Sequence, residues 1–304
     1  MKLIIGLSFI FCGNTFAVNK VIYGQDNRVN ALNSGIFWQH KSAAVASMIR
    51  KSKLKEFASY YKASTFMTLG EQYSLCSDER FYSEPVLSEC SGFLISPDTL
   101  ITAGHCVKAL PYPYNGNPEK MCEDFVWSFD FTQTKAYENK VSLKQVYNCK
   151  EVIEAKYNFA HDYAIIKLEK AVEGVKPLKT AQLVDSTELV VIGHPSGLPK
   201  KVAPGGKVID TNGSSSKFYA ALDSFQGNSG SPVLDKAGDV VGILVSGKTD
   251  YIYDEKAQCQ RVNRCDNNGK ACFYEYDYVK GEGVTKIDVV LDKIPAGIDN
   301  SLSK

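Results

Sequence analysis

Short apolar or aromatic runs, broken by turn residues, dominate the chain. From about residue 90 they recur at 92–95, 99–101, 125–131, 163–168, 188–192, 206–210, 217–222, 231–234 and 239–246, with Gly, Pro, Asn or Asp between them. Short β-branched and aromatic runs bounded by such residues predict strands. Their spacing of 8–20 residues fits an all-β barrel or sandwich rather than βαβ units. One helix is expected at the C-terminus, where Val284, Ile287, Val290, Leu291 and Ile294 fall at helical spacing. Two segments read as elaborations. Residues 21–85 are mixed and partly basic, and 248–280 are rich in Tyr, Lys, Asp and Asn with three cysteines.

The N-terminus has a different pattern. Lys2, the apolar run Leu3 to Phe11 and the small-residue site Thr15-Phe16-Ala17 predict a signal peptide over residues 1–17. The run is too short to span a bilayer, and bulky Phe11 before Cys12 argues against lipidation. The expected mature protein is soluble, off the membrane, secreted to an extracellular or periplasmic space, and monomeric. With 304 residues, 44% of them apolar and 23% charged, the chain suits about two packed domains and not a disordered or fibrous one. Lys and Arg total 35 against 34 Asp and Glu, so no basic surplus points to nucleic acid. Cys12 leaves with the signal peptide. Cys76, Cys90, Cys106, Cys122, Cys149, Cys259, Cys265 and Cys272 remain, an even set that in an exported chain reads as disulfides. None has C-x-x-C spacing, so structural zinc is not expected.

Three motifs carry chemistry: TAGHC at 102–106, HDYAIIKL at 161–168 and LDSFQGNSGSP at 222–232. Acyl transfer to serine needs an activated hydroxyl, an imidazole to take its proton and a carboxylate to orient the imidazole. It also needs backbone amides aimed at the developing oxyanion. Ser229 sits in a Gly-rich turn. Gly227 permits the bend that aims its amide, with that of Ser229, at the oxyanion. His105 follows the apolar Leu100-Ile101, and Asp162 opens the apolar run Ala164–Leu168. An α/β-hydrolase does not fit: its G-x-S-x-G elbow fails at Ser231, and its chain order places serine first. His161 reads as a cleft-rim residue and His194 as a structural turn residue. No catalytic metal and no cofactor are expected.

These motifs, in the order His, Asp, Ser, resemble the trypsin/chymotrypsin-like serine peptidase family. Cys90-Ser91-Gly92-Phe93-Leu94-Ile95-Ser96 is similar to its cysteine-led strand. The likeness covers about residues 85–295 and looks nearest to bacterial secreted members, including glutamyl endopeptidases. It implies an all-β fold of two six-stranded antiparallel β-barrels of chymotrypsin type. One comprises 21–175 with the elaborated N-terminal segment, the other 176–304 with the insertion at 248–280. It implies a secreted serine endopeptidase with His105, Asp162 and Ser229 as triad, and Gly227 and Ser229 as oxyanion donors. It also implies a Cys90–Cys106 bridge. The alternative is a catalytically silent or single-target secreted protein of the same fold.

The resemblance extends to a substrate pocket. Asp223, six positions before Ser229, occupies its floor, with Ser224, Gly247 and Gly283 around it. A carboxylate there selects Arg or Lys in a protein or peptide substrate. Phe225 replaces the family's pocket cysteine, and Leu244 stands where glutamyl enzymes carry His. Asn228 replaces the Asp that pairs with a freed N-terminus in digestive trypsins. Lys20-Val21-Ile22-Tyr23-Gly24 still resembles a processing site, so a propeptide over 18–20 is expected, unless the signal peptidase makes the only cut. The other six mature cysteines allow fifteen pairings. With three before the chain's middle and three near its end, one bridge joins the groups or two thiols stay free. Cys265 to Cys272 is a candidate stapled turn, and its Asp-Asn-Asn-Gly core is too short for a calcium loop of EF-hand type.

Overall fold

The computed structural model describes residues 21–65, 67–110, 116–184, 188–211, 213–214, 216–266, 272 and 281–294. The signal peptide and propeptide expectations lie outside them. Two closed barrels organise the chain. The first is a ring of Val146–Tyr157, Asp162–Leu168, Thr99–Thr102, Cys90–Ser96, Val45–Arg50 and Phe125–Ser128, every pair antiparallel. The second runs through Glu188–Gly193, Pro232–Leu234, Val240–Ser246, Glu282–Lys286, Lys217–Ala221 and Lys201–Asp210. It closes where Lys201–Asp210 pairs back onto Glu188–Gly193. Val29–Asn30 adds a short strand against Lys201 and Val202.

Strand alternation explains how the barrels pack together. Successive side chains on a strand point to opposite faces. In the second barrel Leu189, Val191, Phe218, Leu244 and Val284 form one buried cluster. Val190, Ile192, Ile243 and Val245, on the opposite faces of the same strands, join the cluster of Phe93, Ile101, Trp127 and Ile165 from the first barrel. One apolar body therefore runs through both barrels, and each large side chain buried in it contributes about 1.5–3 kcal/mol. Gly92 is required by this packing: a Cβ there would lie 2.7 Å from Leu100 and 2.8 Å from the Trp127 ring.

All nine expected runs lie in or overlap strands of the two barrels. Three barrel strands carry no such signal. Val45–Arg50 continues from the helix Ile36–Ala43 inside the segment read as an elaboration. Part of 21–85 is therefore barrel wall. Val146–Tyr157 is rich in Lys and Glu because its outer face is exposed, and it carries two register shifts that bend it around the barrel. Glu282–Lys286 is short and polar. The C-terminal helix is shorter than its spacing suggested. It spans Asp288–Leu291, while Val284 belongs to the preceding strand, where pairing with Lys217–Ala221 and Val240–Ser246 overrides the helical pattern.

Four disulfides join Cys76–Cys259, Cys90–Cys106, Cys122–Cys149 and Cys265–Cys272. The expected Cys90–Cys106 bridge is present, and Cys76–Cys259 is the one that crosses between the two cysteine groups. No helix among the described residues is long and apolar enough to cross a membrane.

Candidate active site

The site lies where the two barrels meet. His105 opens a single helical turn after the strand Thr99–Thr102, and Asp162 is the first residue of the neighbouring strand Asp162–Leu168. Both are buried. One Asp162 carboxylate oxygen lies 2.9 Å from His105 Nδ1, and the other accepts the His105 backbone N–H at 3.0 Å. The two contacts fix the carboxylate plane against the imidazole and favour the tautomer with the proton on Nδ1. The Thr285 hydroxyl, from the second barrel, donates to the Asp162 carbonyl at 3.0 Å.

Ser229 comes from the second barrel. It lines, with His105, Gly227, Gln226, Gly197, Tyr157 and the Cys90–Cys106 bridge, a cleft of about 570 Å³. The structure therefore brings His105, Asp162, Ser229 and Gly227 together from three distant stretches of chain. Around Ser229 the main chain is held closely. The Ser91 N–H donates to the Ser229 carbonyl at 2.8 Å, and the Ser91 hydroxyl donates to the Gly227 carbonyl at 2.8 Å. Gly227 has φ +89°, and a Cβ on it would lie 2.4 Å from the His194 carbonyl. Glycine is thus demanded both by conformation and by space. Cys90 and His105 fall near Cys106, but both cysteines are in a disulfide and hold no metal.

Asp223 is buried, and its two oxygens accept backbone N–H groups of Tyr23 at 2.8 Å and Asn27 at 2.9 Å. Burial pushes its carboxyl up to about 6. The N-terminal segment thus straps the carboxylate that the resemblance assigned to substrate, and Asp223 does not line the cleft. Ser224 donates to Glu282 at 2.6 Å. Gly283 faces Ser246 across paired strands, and a Cβ there would lie 2.3 Å from the Ser246 hydroxyl oxygen. Gly247 follows the strand Val240–Ser246 and is half-buried. Sequence reasoning missed Glu282, which is fully buried and receives Ser224, the Tyr23 hydroxyl at 3.3 Å and the Lys248 N–H at 3.4 Å. It also missed Ser91, Ser196, Asp250 and Tyr251. Ser91 stood inside a quoted strand motif, but nothing in the one-dimensional pattern marks its hydroxyl.

His194 is fully buried, as a structural residue should be. Its Nδ1 lies 3.0 Å from the Leu198 carbonyl, and its ring stacks on Phe131. Burial first, and then the nearby Lys200, push its pKa down to about 3. His161 is half-buried at the start of the Asp162 strand and meets the Tyr163 ring edge-on.

Two closed antiparallel barrels with a His–Asp pair on one and a glycine-bound serine on the other define the class of trypsin-like serine endopeptidases. A family model described as a trypsin-like peptidase domain matches residues 90–243, and the chain belongs to that family. A search of curated proteins finds no match. Among solved structures, a Glu endopeptidase in complex with MPD is 17% identical, with 90% of this chain and 97% of that chain covered and a TM-score of 0.48. Neuropsin, a serine protease expressed in the limbic system of mouse brain, is 16% identical, with 83% and 93% covered and a TM-score of 0.49. A protease from M. tuberculosis in its active form is 15% identical, with 94% and 93% covered and a TM-score of 0.45.

Proposed function

We propose that the protein hydrolyses peptide bonds through an acyl-enzyme formed on Ser229. His105 takes the Ser229 proton and returns it to the leaving amine. Asp162 holds the imidazole in its tautomer and stabilises the imidazolium. The amides of Gly227 and Ser229 bind the tetrahedral oxyanion. The observation that carries this reading is the two-point hold of Asp162 on His105 beside the cleft that Ser229 lines.

A preference for Arg or Lys at the cleaved bond is the finer reading. It is supported by two carboxylates, Asp223 and Glu282, buried on either side of Ser224, five residues before Ser229 in the chain. Both oppose an acidic substrate side chain by like charge. Against it stands the strapping of Asp223 by Tyr23 and Asn27. Secretion is supported by the N-terminal leader pattern and by four disulfides, which persist in oxidising compartments.

Short chromogenic peptides ending in Arg, Lys, Glu or Phe test both levels, with Ser229→Ala beside the natural chain. The expected outcome is cleavage after Arg or Lys that falls by roughly 10⁴–10⁶ in the variant. Cleavage after Glu or Phe that is lost in the variant keeps the mechanism and removes the pocket assignment. Cleavage that persists in the variant overturns Ser229 as nucleophile. If no peptide is cut but a folded partner protein is, the single-target alternative holds.

A further inference from the structure

The insertion after the strand Val240–Ser246 lies against the turn that carries Gly227. Asp250 accepts the Gln226 N–H at 3.0 Å. The next peptide, Gln226–Gly227, has its carbonyl bonded by the Ser196 N–H. A trans peptide directs its N–H opposite to its C=O. Holding the Gln226 carbonyl on Ser196 therefore turns the Gly227 N–H away from the turn Pro195–Gly197.

Ser196 is not held there by its own preference. Its φ is +51°, a left-handed conformation that is unfavourable for a non-glycine residue and persists only where the surroundings impose it. The hydroxyl of Tyr251 lies 2.6 Å from the Ser196 hydroxyl. The Tyr251 ring packs between Phe225, at 5.5 Å, and Tyr73, at 4.9 Å. Tyr251 begins a two-stranded hairpin, Tyr251–Asp254 with Cys259–Val262. The Cys76–Cys259 disulfide ties that hairpin to the segment bearing Tyr73, and Arg261 braces it through Asp254 at 2.9 Å.

We propose that Asp250 and Tyr251 are positioning residues that hold the Gln226–Gly227 peptide in the orientation that offers its N–H to the oxyanion. Neither touches substrate. Tyr251 acts through Ser196, and Asp250 acts through the Gln226 N–H. The inference rests on the reading of Ser229 as nucleophile and Gly227 as oxyanion donor. It gives the start of the 248–280 insertion a function: it fixes a peptide that could otherwise flip and empty the oxyanion hole.

The test compares Tyr251→Phe, which keeps the ring and removes the hydroxyl, with the natural chain on one cleaved peptide and on the matching peptide boronic acid. The boronate forms a tetrahedral adduct on the serine and depends on the oxyanion donors. The expected result is a kcat about five- to tenfold lower, the population shift that one lost hydrogen bond produces. KM stays within about twofold, and boronate affinity falls by the same factor as kcat. Ser196→Ala gives the same loss, and the double variant loses no more than either single one, because both break one link. Asp250→Ala loses activity in the same way, and Asp250→Asn, which keeps an oxygen acceptor for the Gln226 N–H, restores most of it.

A Tyr251→Phe variant with natural kcat and boronate affinity overturns the inference. So does a loss that appears only in KM. If Tyr251→Phe does not fold, Ser196→Ala and the Asp250 pair decide by the same two readouts. Failure of the natural chain to cleave any peptide or bind any boronate overturns the underlying reading of Ser229 instead, so the two failures are distinguishable.

Discussion

Asp162 receives His105 twice, through the ring and through the backbone. At the residue scale this pair is held at two points, and its parts were legible in the sequence. His105, Asp162, Ser229 and Gly227 each stand in a short motif whose spacing follows from the chemistry. Partners outside any motif were not legible. His194 illustrates the difference: its turn position was readable, its burial was not. Its pKa near 3 lies well below the ordinary value of 6.5. Between those values the unfolded chain binds a proton that the folded chain refuses, so stability falls as pH drops through this window. Asp223, raised to about 6, acts with the opposite sign from about 4 to 6, since its folded form takes up the proton first. Comparing the natural chain with His194→Asn isolates the histidine, because Asp223 is common to both. Chemical denaturation from pH 6.5 to 4 should show the natural chain losing up to about 1.4 kcal/mol per pH unit more than the variant. The slope is the readout, since the substitution also changes packing against Phe131.

At the element scale, strands were legible where one or both faces are apolar and illegible where that signal is diluted. The exposed outer face of Val146–Tyr157 brings Lys150, Glu151, Glu154 and Lys156 into the pattern. Val45–Arg50 has a nearly continuous apolar run, which periodicity alone cannot separate from a buried helix. The C-terminal helix was overestimated because the five apolar positions at helical spacing straddle a strand end, with Val284 on the strand side. The junction of elements that holds His105 is tight. A Cβ on Gly104 would lie 1.8 Å from the Lys156 carbonyl oxygen and 2.8 Å from that of Tyr163. Both are backbone atoms of paired barrel strands and cannot swing aside. Gly104→Ala should therefore cost about 2–3 kcal/mol of stability. It should also lower kcat by moving His105 relative to Asp162. Thermal unfolding and peptide turnover on the same sample check both.

The whole molecule is held together by long-range links. The apolar clusters of the two barrels share strands, and Cys76–Cys259 joins positions 183 residues apart. A bridge over a long loop removes much entropy from the unfolded chain. Replacing both cysteines by Ala should destabilise the protein by about 2–4 kcal/mol, read as a lower denaturant midpoint. If the hairpin bearing Tyr251 loosens as well, the same variant should lose kcat beyond what its remaining folded fraction explains.

The sequence by itself determined the strand-rich class, the order His105, Asp162, Ser229 and the need for glycine at 227. Each of these is written locally, in side-chain alternation or in a motif a few residues long. Tertiary structure alone decided that Cys76 pairs with Cys259 and Cys122 with Cys149, that Asp223 is strapped by Tyr23 and Asn27, and that Ser91, Ser196, Asp250 and Tyr251 surround the Gly227 turn. Those contacts join residues up to 200 positions apart. Their physical basis is the closing of two barrels against each other, which places a hydroxyl or a carboxylate beside a distant amide without leaving any periodic trace in the chain.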